Sequence, residues 1–394
     1  MDVFKICTCT NRRKLVFTLM FASALIYTMQ NQGYNIFSRN TMENLQTSTN
    51  VENTVLNMSI HSYTDTYTNQ NTKRISAQGP RDILLFGYQR GETTFVGHIL
   101  GCRKDTFYFY EPFWSISKQK YFTKSQKCDT HKDVCRNYDN NTLNISRLVS
   151  SLYACDSDTI GKLVSSVQSE HSCTRNREKF KSKDVQKLHN ICKQAKYRVT
   201  KMLRISAEFI ENLLQINPKL QIVYLYRDPR AIISSRLKSK ARPIKDLVTA
   251  VCNKMDIDSS TVIQIANKYP QNVILVSAES IAKDPVNISR KLFEFLDLKF
   301  TKSDENQINS LSNWNSKRKK MREGNFNPYK NNGYASSMKW RTVLSRDIKA
   351  IADSLCQSVY QRLGYLNMTS AEYFRNINET NIFLPKKIKE FSLH

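Results

Sequence analysis

Two short motifs are absent from this 394-residue sequence, and acidic residues are scarce. No G-x-x-x-x-G-K-[ST] segment occurs, which argues against a nucleotide kinase. The cysteines lack the paired C-x-x-C spacing of a zinc site, so no metal is predicted. Only 34 Asp and Glu residues accompany 60 Lys and Arg residues, which gives a net charge of +26. This charge attracts anionic partners, whether nucleic acid, anionic lipid, or an acidic nucleotide or glycan.

The N-terminal apolar run, Leu15 to Met29, is short for a membrane-spanning helix but close to the lower limit. The basic residues Arg12 to Lys14 precede it and would stay in the cytosol. We therefore predict a signal-anchor helix at 15–29 behind a cytosolic tail at 1–14. A cleaved signal peptide is the alternative, although the site-like Ala22-Ser23-Ala24 lies inside the run. An anchor would place the basic domain in the lumen, which argues against nucleic acid as its partner.

Sequons and cysteines fit a lumenal chain. Six Asn-x-Ser/Thr sequons follow the run, at Asn57, Asn140, Asn144, Asn287, Asn367 and Asn378. Eight of the ten cysteines also follow it, and an even number suits an oxidising compartment. Disulfides are therefore predicted, but their pairing cannot be read from the sequence.

The rest of the chain divides into a stem, one folded domain and a tail. Residues 30–80 are predicted to form a flexible lumenal stem, because Asn, Thr, Ser and Gln dominate from Asn40 to about Lys73. Residues 81–366 are predicted to form a single catalytic domain, and residues 367–394 a basic tail. The weakly patterned stretch Lys118 to Lys187 is predicted to be an insertion or a cover over the site.

Strand-like runs alternate with helical patterns, which predicts an α/β fold with a P-loop-like parallel sheet flanked by helices. The predicted strands are Asp82 to Phe86, Arg198 to Leu203, Gln221 to Tyr226 and Asn272 to Val276. The predicted helices are Thr93 to Leu100, Ala207 to Gln215, Arg230 to Leu237, Ile244 to Asn267, Ser289 to Leu296 and Lys339 to Leu363.

The first candidate site is the segment Gly87 to Phe95, which joins a buried strand to a helix. Backbone N–H groups and the positive end of the helix dipole favour an anion there, and threonine hydroxyls with Arg90 would complete a phosphate cradle. The site residues proposed in this segment are Arg90, Gly91, Glu92, Thr93, Thr94 and Phe95. The alternative is an ordinary strand-to-helix turn with capping threonines.

The second candidate site is the segment Arg227 to Arg236, in which Asp228 and Pro229 suit the start of a helix. Arg227 at the strand end and Ser235 two turns along the helix can converge on one phosphate. The alternative is a well-capped helix with solvated arginines.

These segments resemble the donor-binding motifs of Golgi carbohydrate 6-O-sulfotransferases that modify galactose, N-acetylgalactosamine or N-acetylglucosamine. The family's R-S-G-S-S-F motif corresponds to Arg90 to Phe95, and its R-D-P-R-A-x-x-x-S-R motif to Arg227 to Arg236. Its Y-E-P-x-W segment corresponds to Tyr110 to Trp114. Lys339-Trp340-Arg341, Cys356 and Leu363-Gly364-Tyr365 then follow in the family order, so the resemblance covers roughly residues 82 to 366.

The resemblance implies transfer of a sulfuryl group from 3'-phosphoadenosine 5'-phosphosulfate to a sugar hydroxyl, with no metal. The first segment would bind the 5'-phosphosulfate, and the second would bind the 3'-phosphate. The implied acceptor is a glycan or glycosaminoglycan, and the implied location is the Golgi membrane with a single-pass type II anchor. The sequence leaves the acceptor sugar and a possible homo-oligomer open.

The chemistry calls for a general base and for positive charge on the leaving oxygen. We assign Arg90 to the leaving oxygen and Glu111 to the base, with His98 as the rival base. Glu111 could instead be a structural carboxylate paired with an arginine. Lys201 could assist the leaving group or be an exposed surface lysine.

Two tryptophans and one basic run are candidates for contacts with the donor or the acceptor. Trp314 and Trp340 could stack on sugar or adenine, or lie in the core. The run Lys317 to Lys320 could hold an anionic glycan, or be solvated loop.

Two departures from the family pattern favour an alternative function. Glu92 stands where the family has a glycine, which places a carboxylate beside an anion site. Only Glu279 is retained from the family's R-Y-E-D-L segment, where this chain has Ser277 and Ala278. The alternative is a non-catalytic lumenal protein of the same fold that binds anionic glycans.

Overall fold

The computed structural model describes residues 79–139, 143–163, 184–237, 243–312 and 332–368, together with 375–376, 382 and 392–393. The predicted anchor and stem, Trp314 and the 317–320 basic run lie outside these residues. Within the described ranges, no helix is both long and apolar enough to cross a membrane.

A six-stranded parallel sheet forms the centre of the domain, with the strand order β2-β6-β1-β7-β8-β9. Its strands are β1 (Arg81–Phe86), β2 (Thr106–Tyr110), β6 (Tyr197–Met202), β7 (Gln221–Tyr226), β8 (Val273–Ser277) and β9 (Ser392–Leu393). β1 pairs with β6 on one side and β7 on the other, so the chain order changes direction at β1. In open α/β sheets, ligands bind at such a switch point, beyond the carboxyl ends of the strands.

Helices flank this sheet, and five of the six helices predicted from the sequence correspond to α1, α6, α7, α8 and α10 of the series given next. They are α1 (Thr93–Gly101), α2 (Trp114–Ser117), α3 (Ile145–Tyr153), α4 (Ser157–Leu163), α5 (Val185–Gln194), α6 (Ile210–Ile216), α7 (Pro229–Leu237), α8 (Ile244–Lys268), α9 (Ala278–Lys283), α10 (Pro285–Phe295), α11 (Lys302–Ser312), α12 (Gly333–Met338), α13 (Trp340–Val343), α14 (Arg346–Leu355) and α15 (Gln357–Leu363). The parallel sheet with flanking helices is confirmed. The single helix predicted from Lys339 to Leu363 is wrong, because the chain forms α13, α14 and α15 there, and Ser345 caps α14.

The sheet separates two apolar clusters, one on each face. One contains Leu84, Phe86 and Tyr224 together with residues of α8, and the other contains Ile83, Leu85 and residues of α1. This alternation along β1 follows from the period of two in a strand, with both faces buried.

Helix α1 lies unusually close to β2 because two of its residues are glycines. A Cβ atom on Gly97 would lie 2.0 Å from the Tyr108 hydroxyl, and one on Gly101 would lie 2.4 Å from the Tyr108 ring. A larger residue at either position would require the helix or the Tyr108 side chain to move, so these glycines allow the close approach of α1 to β2.

A second, three-stranded antiparallel sheet follows α2, with the order β3-β4-β5. It consists of β3 (Lys120–Phe122), β4 (Gln126–Asp129) and β5 (Cys135–Asn137). The sequence predicted only an insertion or a cover over the site here, because these strands are too short to show a clear period. Disulfides join Cys128 to Cys135, Cys155 to Cys192, and Cys252 to Cys356.

Candidate active site

The loop between β1 and α1, residues 87–92, lies at the carboxyl end of the central strand. Gly87 has no room for a side chain, since a Cβ atom would lie 2.8 Å from the Leu225 carbonyl oxygen. Arg90 and Glu92 both adopt left-handed backbone conformations, with φ of 67° and 62°. The loop therefore turns sharply into α1, and the start of the helix lies at the sheet edge.

Glu92 begins helix α1, and its side chain forms an ion pair with Arg227, with Oε1 and Nη1 3.0 Å apart. The family glycine at this position suits the positive φ, which costs a residue with a Cβ atom free energy. The carboxylate thus stays within the site and contacts the arginine assigned to the 3'-phosphate.

Arg227 follows β7 directly, and its side chain is buried beside the β1–α1 loop. Its Nη1 also donates to the Arg90 carbonyl oxygen at 2.8 Å, and its Nη2 donates to the Ser337 carbonyl oxygen at 3.1 Å. Its Nε has no hydrogen-bond partner among the described residues. A buried guanidinium with an unused donor is suited to an anionic ligand. The solvated arginine considered for this position is wrong.

Ser235 connects the second segment to the first. Its Oγ accepts a hydrogen bond from Arg90 Nε at 2.8 Å. Arg227 precedes α7 and Ser235 lies near its end. As the sequence predicted, both residues reach the β1–α1 loop, where each contacts Arg90.

Arg230 has a structural role within the same motif. It is fully buried, and its Nη2 lies 2.8 Å from Asp228 Oδ2. The guanidinium lies against the rings of Trp340 and Tyr360, at 5.0 and 4.6 Å from their centroids. Arg230 therefore fixes α7 against the C-terminal helices, and Trp340 is a core residue rather than a ligand platform.

Glu279 holds the turn at the start of α7 from the opposite side. Its carboxylate accepts hydrogen bonds from the Asp228 backbone N–H at 3.0 Å and from the hydroxyls of Ser277 and Tyr365. Burial raises the pKa of Glu279, and the neighbouring charge of Asp228 raises it further. Glu279, the one acid retained from the R-Y-E-D-L segment, thus fixes the backbone at Asp228, the residue that follows Arg227.

Glu111 follows β2 and lies between two cations. Lys201 Nζ is 3.0 Å from Oε1, and Arg204 Nη2 is 3.1 Å from Oε2. Burial by itself raises the pKa of Glu111, but the charges of Lys201 and Arg204 outweigh this effect, so the pKa is lowered. Glu111 is therefore ionised, and each of its oxygens keeps further lone pairs for a proton donor. Both roles considered for Glu111, base and paired structural carboxylate, fit this geometry.

Lys201 links Glu111 to helix α1. Its side chain is buried, and its Nζ also donates to Thr94 Oγ1 at 3.0 Å. The exposed surface lysine considered for this position is therefore wrong. The two contacts fix the ammonium group between the candidate base and the first turn of α1.

Five cationic side chains gather around the two carboxylates Glu92 and Glu111. They are Arg90, Lys201, Arg204, Arg227 and Arg236. Burial, together with the charges of Arg204 and Arg90, lowers the pKa of Arg236 to about 9. Burial also lowers the pKa of Arg90, and the charge of Arg227 acts in the same direction. A multiply charged anion would relieve this repulsion.

The remaining predicted residues make packing or backbone contacts next to the site. The Phe95 side chain packs in the apolar cluster around α1, and its N–H bonds to the Glu92 carbonyl oxygen. Thr93 is buried, with its methyl group against Gly87. The carbonyl oxygen of His98 accepts a hydrogen bond from Gln307 of α11.

Arg204 and Arg236 were not selected from the sequence. Arg204 lies just beyond β6, and Arg236 ends the second motif, where its Nη2 donates to the Gln89 carbonyl oxygen at 3.2 Å. The only signal for Arg236 was the final R of the family motif, and none identified Arg204. In the ranges that the structure covers, no group of His, Cys, Asp and Glu side chains could hold a metal ion.

Comparison with known proteins gives consistent results. Residues 80–364 match the family model described as a sulfotransferase domain. Carbohydrate sulfotransferase 1 of Danio rerio is 24% identical over 360 residues, which cover 77% of this chain and 83% of that protein. Carbohydrate sulfotransferase 3 of Mus musculus is 22% identical over 330 residues, which cover 72% of this chain and 68% of that protein. A solved mouse sulfotransferase in complex with PAP is 12% identical with a TM-score of 0.38, covering 72% of this chain and 84% of that one.

The family match includes the β1–α1 loop, the Glu111 and Lys201 pair and the whole second motif. It therefore covers every candidate catalytic residue described above. The chain belongs to the sulfotransferase domain family and is a transferase enzyme.

Proposed function

We propose that the enzyme transfers a sulfuryl group from 3'-phosphoadenosine 5'-phosphosulfate to the 6-hydroxyl of a sugar in a glycan or glycosaminoglycan. The observation that carries the proposal is the junction of Arg90, Arg227 and Ser235, because it joins the two motifs at one anion-binding surface. The names of the curated relatives support a carbohydrate acceptor.

The donor would occupy the switch point of the sheet, with its 3'-phosphate at Arg227 and Ser235. The unused Nε of Arg227 and the repulsion among the buried arginines fit a bound dianion. The 5'-phosphosulfate would meet the first turn of α1, where Gly91 brings the backbone close and the helix dipole favours negative charge. When bound, this donor supplies an activated sulfuryl group.

The residues around β2 and β6 would carry the proton and charge transfers. Glu111 would accept the proton of the sugar hydroxyl. Arg90 and Lys201 would stabilise negative charge on the departing phosphate oxygen. Because Lys201 contacts both Glu111 and Thr94, it would also fix the position of the base relative to the donor at the start of α1.

A panel of acceptors tests the proposal. Unsulfated and partly sulfated glycans would be incubated with the protein and a labelled donor, and the labelled product would be analysed by NMR. We expect sulfate on a primary 6-hydroxyl of one class of sugar. Sulfate on a ring hydroxyl would contradict the 6-O assignment, and absence of labelled glycan from the whole panel would contradict the function.

The proposed location is the Golgi lumen, with the protein anchored by residues 15–29 in a single-pass type II orientation. The basic residues before this run and the sequons after it support the proposal.

A non-catalytic role in binding anionic glycans is the second candidate. It is favoured by the Glu92–Arg227 ion pair, which places a carboxylate where a phosphate would bind. The two functions differ in donor turnover: a glycan binder would retain the acceptor without releasing 3',5'-bisphosphate nucleotide.

Replacing Glu92 with Gly is expected to tighten binding of the 3',5'-bisphosphate nucleotide about tenfold. The ion pair must open before a phosphate can reach Arg227 Nη1, and tenfold corresponds to ~1.4 kcal/mol, the order of one hydrogen bond to a charged group. Isothermal titration calorimetry would measure the change.

Glu92→Gln separates charge from backbone strain, because it keeps the Cβ atom at φ 62°. It should give most of the gain. In an Arg227→Ala background the Glu92 substitutions should have little effect. Weaker binding after either Glu92 substitution would show that the carboxylate supports the loop instead of competing with the ligand.

A further inference from the structure

Trp114 is an exposed aromatic residue at the edge of the candidate active site. Its side chain is 40% exposed, whereas Trp340, the other described tryptophan, is 3% exposed. The Trp114 backbone N–H donates to the Glu111 carbonyl oxygen at 2.9 Å. The turn after β2 therefore contains both the candidate base Glu111 and the exposed Trp114.

Arg204 fixes this ring relative to Glu111. Its guanidinium carbon lies 4.8 Å from the centre of the indole ring, while its Nη2 donates to Glu111 Oε2. The cation therefore covers one face of the ring. Trp114 remains 40% exposed, so part of the indole is available to a ligand that approaches Glu111.

Positive charge continues from Trp114 along the small sheet. Between residues 114 and 137 there are six Lys and Arg residues but only two Asp residues. Lys118, Lys120, Lys132 and Arg136 are exposed. Burial lowers the pKa of Lys127, and the charge of Lys120 lowers it further, so these two cations repel each other. Such a surface complements a chain that carries several negative charges.

We infer that Trp114 stacks on a sugar unit adjacent to the reacting one, and that the acceptor is an anionic glycan running along the β3–β5 sheet. The inference rests on the proposed function. A sugar ring has an apolar C–H face that packs on an indole, and the polar edges of both groups remain hydrated. Arg204 contacts both the ring and Glu111, so we expect the sugar on the ring to be a different unit from the one that reacts at Glu111.

The test compares acceptors of different length. We expect Trp114→Ala to raise the KM for an anionic oligosaccharide roughly 3- to 10-fold, in line with the strength of an aromatic contact. The KM for the matching monosaccharide and the KM for the donor should change less than twofold. Trp114→Phe should recover part of the loss. Oligosaccharide binding should also change the tryptophan fluorescence of the wild type more than that of Trp114→Phe.

Ile257→Ala is the matched control, because Ile257 is 44% exposed on α8 and lies outside the contacts described for the site. The inference is overturned if Trp114→Ala leaves the oligosaccharide KM unchanged. It is also overturned if both acceptors are affected equally with a lower kcat, since this would mean that the ring only supports Arg204 and Glu111. Absence of sulfuryl transfer by the wild type would instead count against the proposed function.

Discussion

Glu111→Gln is expected to lower turnover about 100-fold or more while binding of the donor nucleotide is retained. The amide keeps the shape of the carboxylate but cannot accept the proton of the sugar hydroxyl. Loss of this negative charge leaves Lys201 and Arg204 unneutralised, so affinity for an anionic nucleotide should remain or increase. Single-turnover kinetics with saturating acceptor would measure the chemical step.

Asp82→Asn is the matched control for this substitution. Asp82 is as buried as Glu111 and is paired with Arg198, with Arg198 Nε 2.6 Å from Asp82 Oδ1, but it lies near the start of β1 at the opposite edge of the sheet. Both changes should lower the free energy of unfolding, because each breaks a buried ion pair. Only Glu111→Gln should abolish turnover. Near wild-type turnover in Glu111→Gln would leave Glu111 as a structural carboxylate and make His98 the next base to test.

Arg227→Ala and Ser235→Ala are expected to weaken binding of the 3',5'-bisphosphate nucleotide by about 1 to 3 kcal/mol each, which is roughly 5- to 150-fold. Binding of the corresponding 5'-monophosphate should hardly change. Because Arg227 also holds the Arg90 carbonyl oxygen, the ratio of the two affinities isolates the contribution of the 3'-phosphate.

Ser234→Ala provides the control for Ser235→Ala, because Ser234 is the buried neighbour on the same helix. Ser234→Ala should leave the ratio of the affinities for the 3',5'-bisphosphate nucleotide and the 5'-monophosphate unchanged. A double-mutant cycle between Arg227 and Ser235 should show coupling, since the two residues would share one anion. Equal losses for both nucleotides would instead mean that the segment only caps and positions α7.

The sequence predicted those parts of the site that depend on local pattern. The buried run before Gly87 predicted β1, and Asp228-Pro229 predicted the start of α7 directly after β7. Parallel strands bring their carboxyl ends to one edge, so the two motifs were expected to meet, and Arg90 does contact Ser235.

Contacts between distant segments could not be predicted in the same way. Arg204 is 93 residues from Glu111 in the sequence. The sequence left Lys201 as either a leaving-group cation or an exposed lysine, because its strand also contains Arg198 and Thr200. The side-chain direction of Glu92 toward Arg227 depends on its left-handed backbone, for which a non-glycine residue gives no signal. The contact of Trp114 with Arg204 likewise joins distant segments, since Arg204 follows β6.

The most direct test of the account is the fate of the donor in the presence of an anionic glycan. The protein would be incubated with doubly labelled 3'-phosphoadenosine 5'-phosphosulfate, and both products would be counted. We predict equal amounts of 3',5'-bisphosphate nucleotide and glycan sulfate ester, with neither product formed in Glu111→Gln beyond about 1% of the wild-type rate. Tight binding of donor and glycan by the wild type without transfer of label would contradict the account and favour the non-catalytic glycan binder.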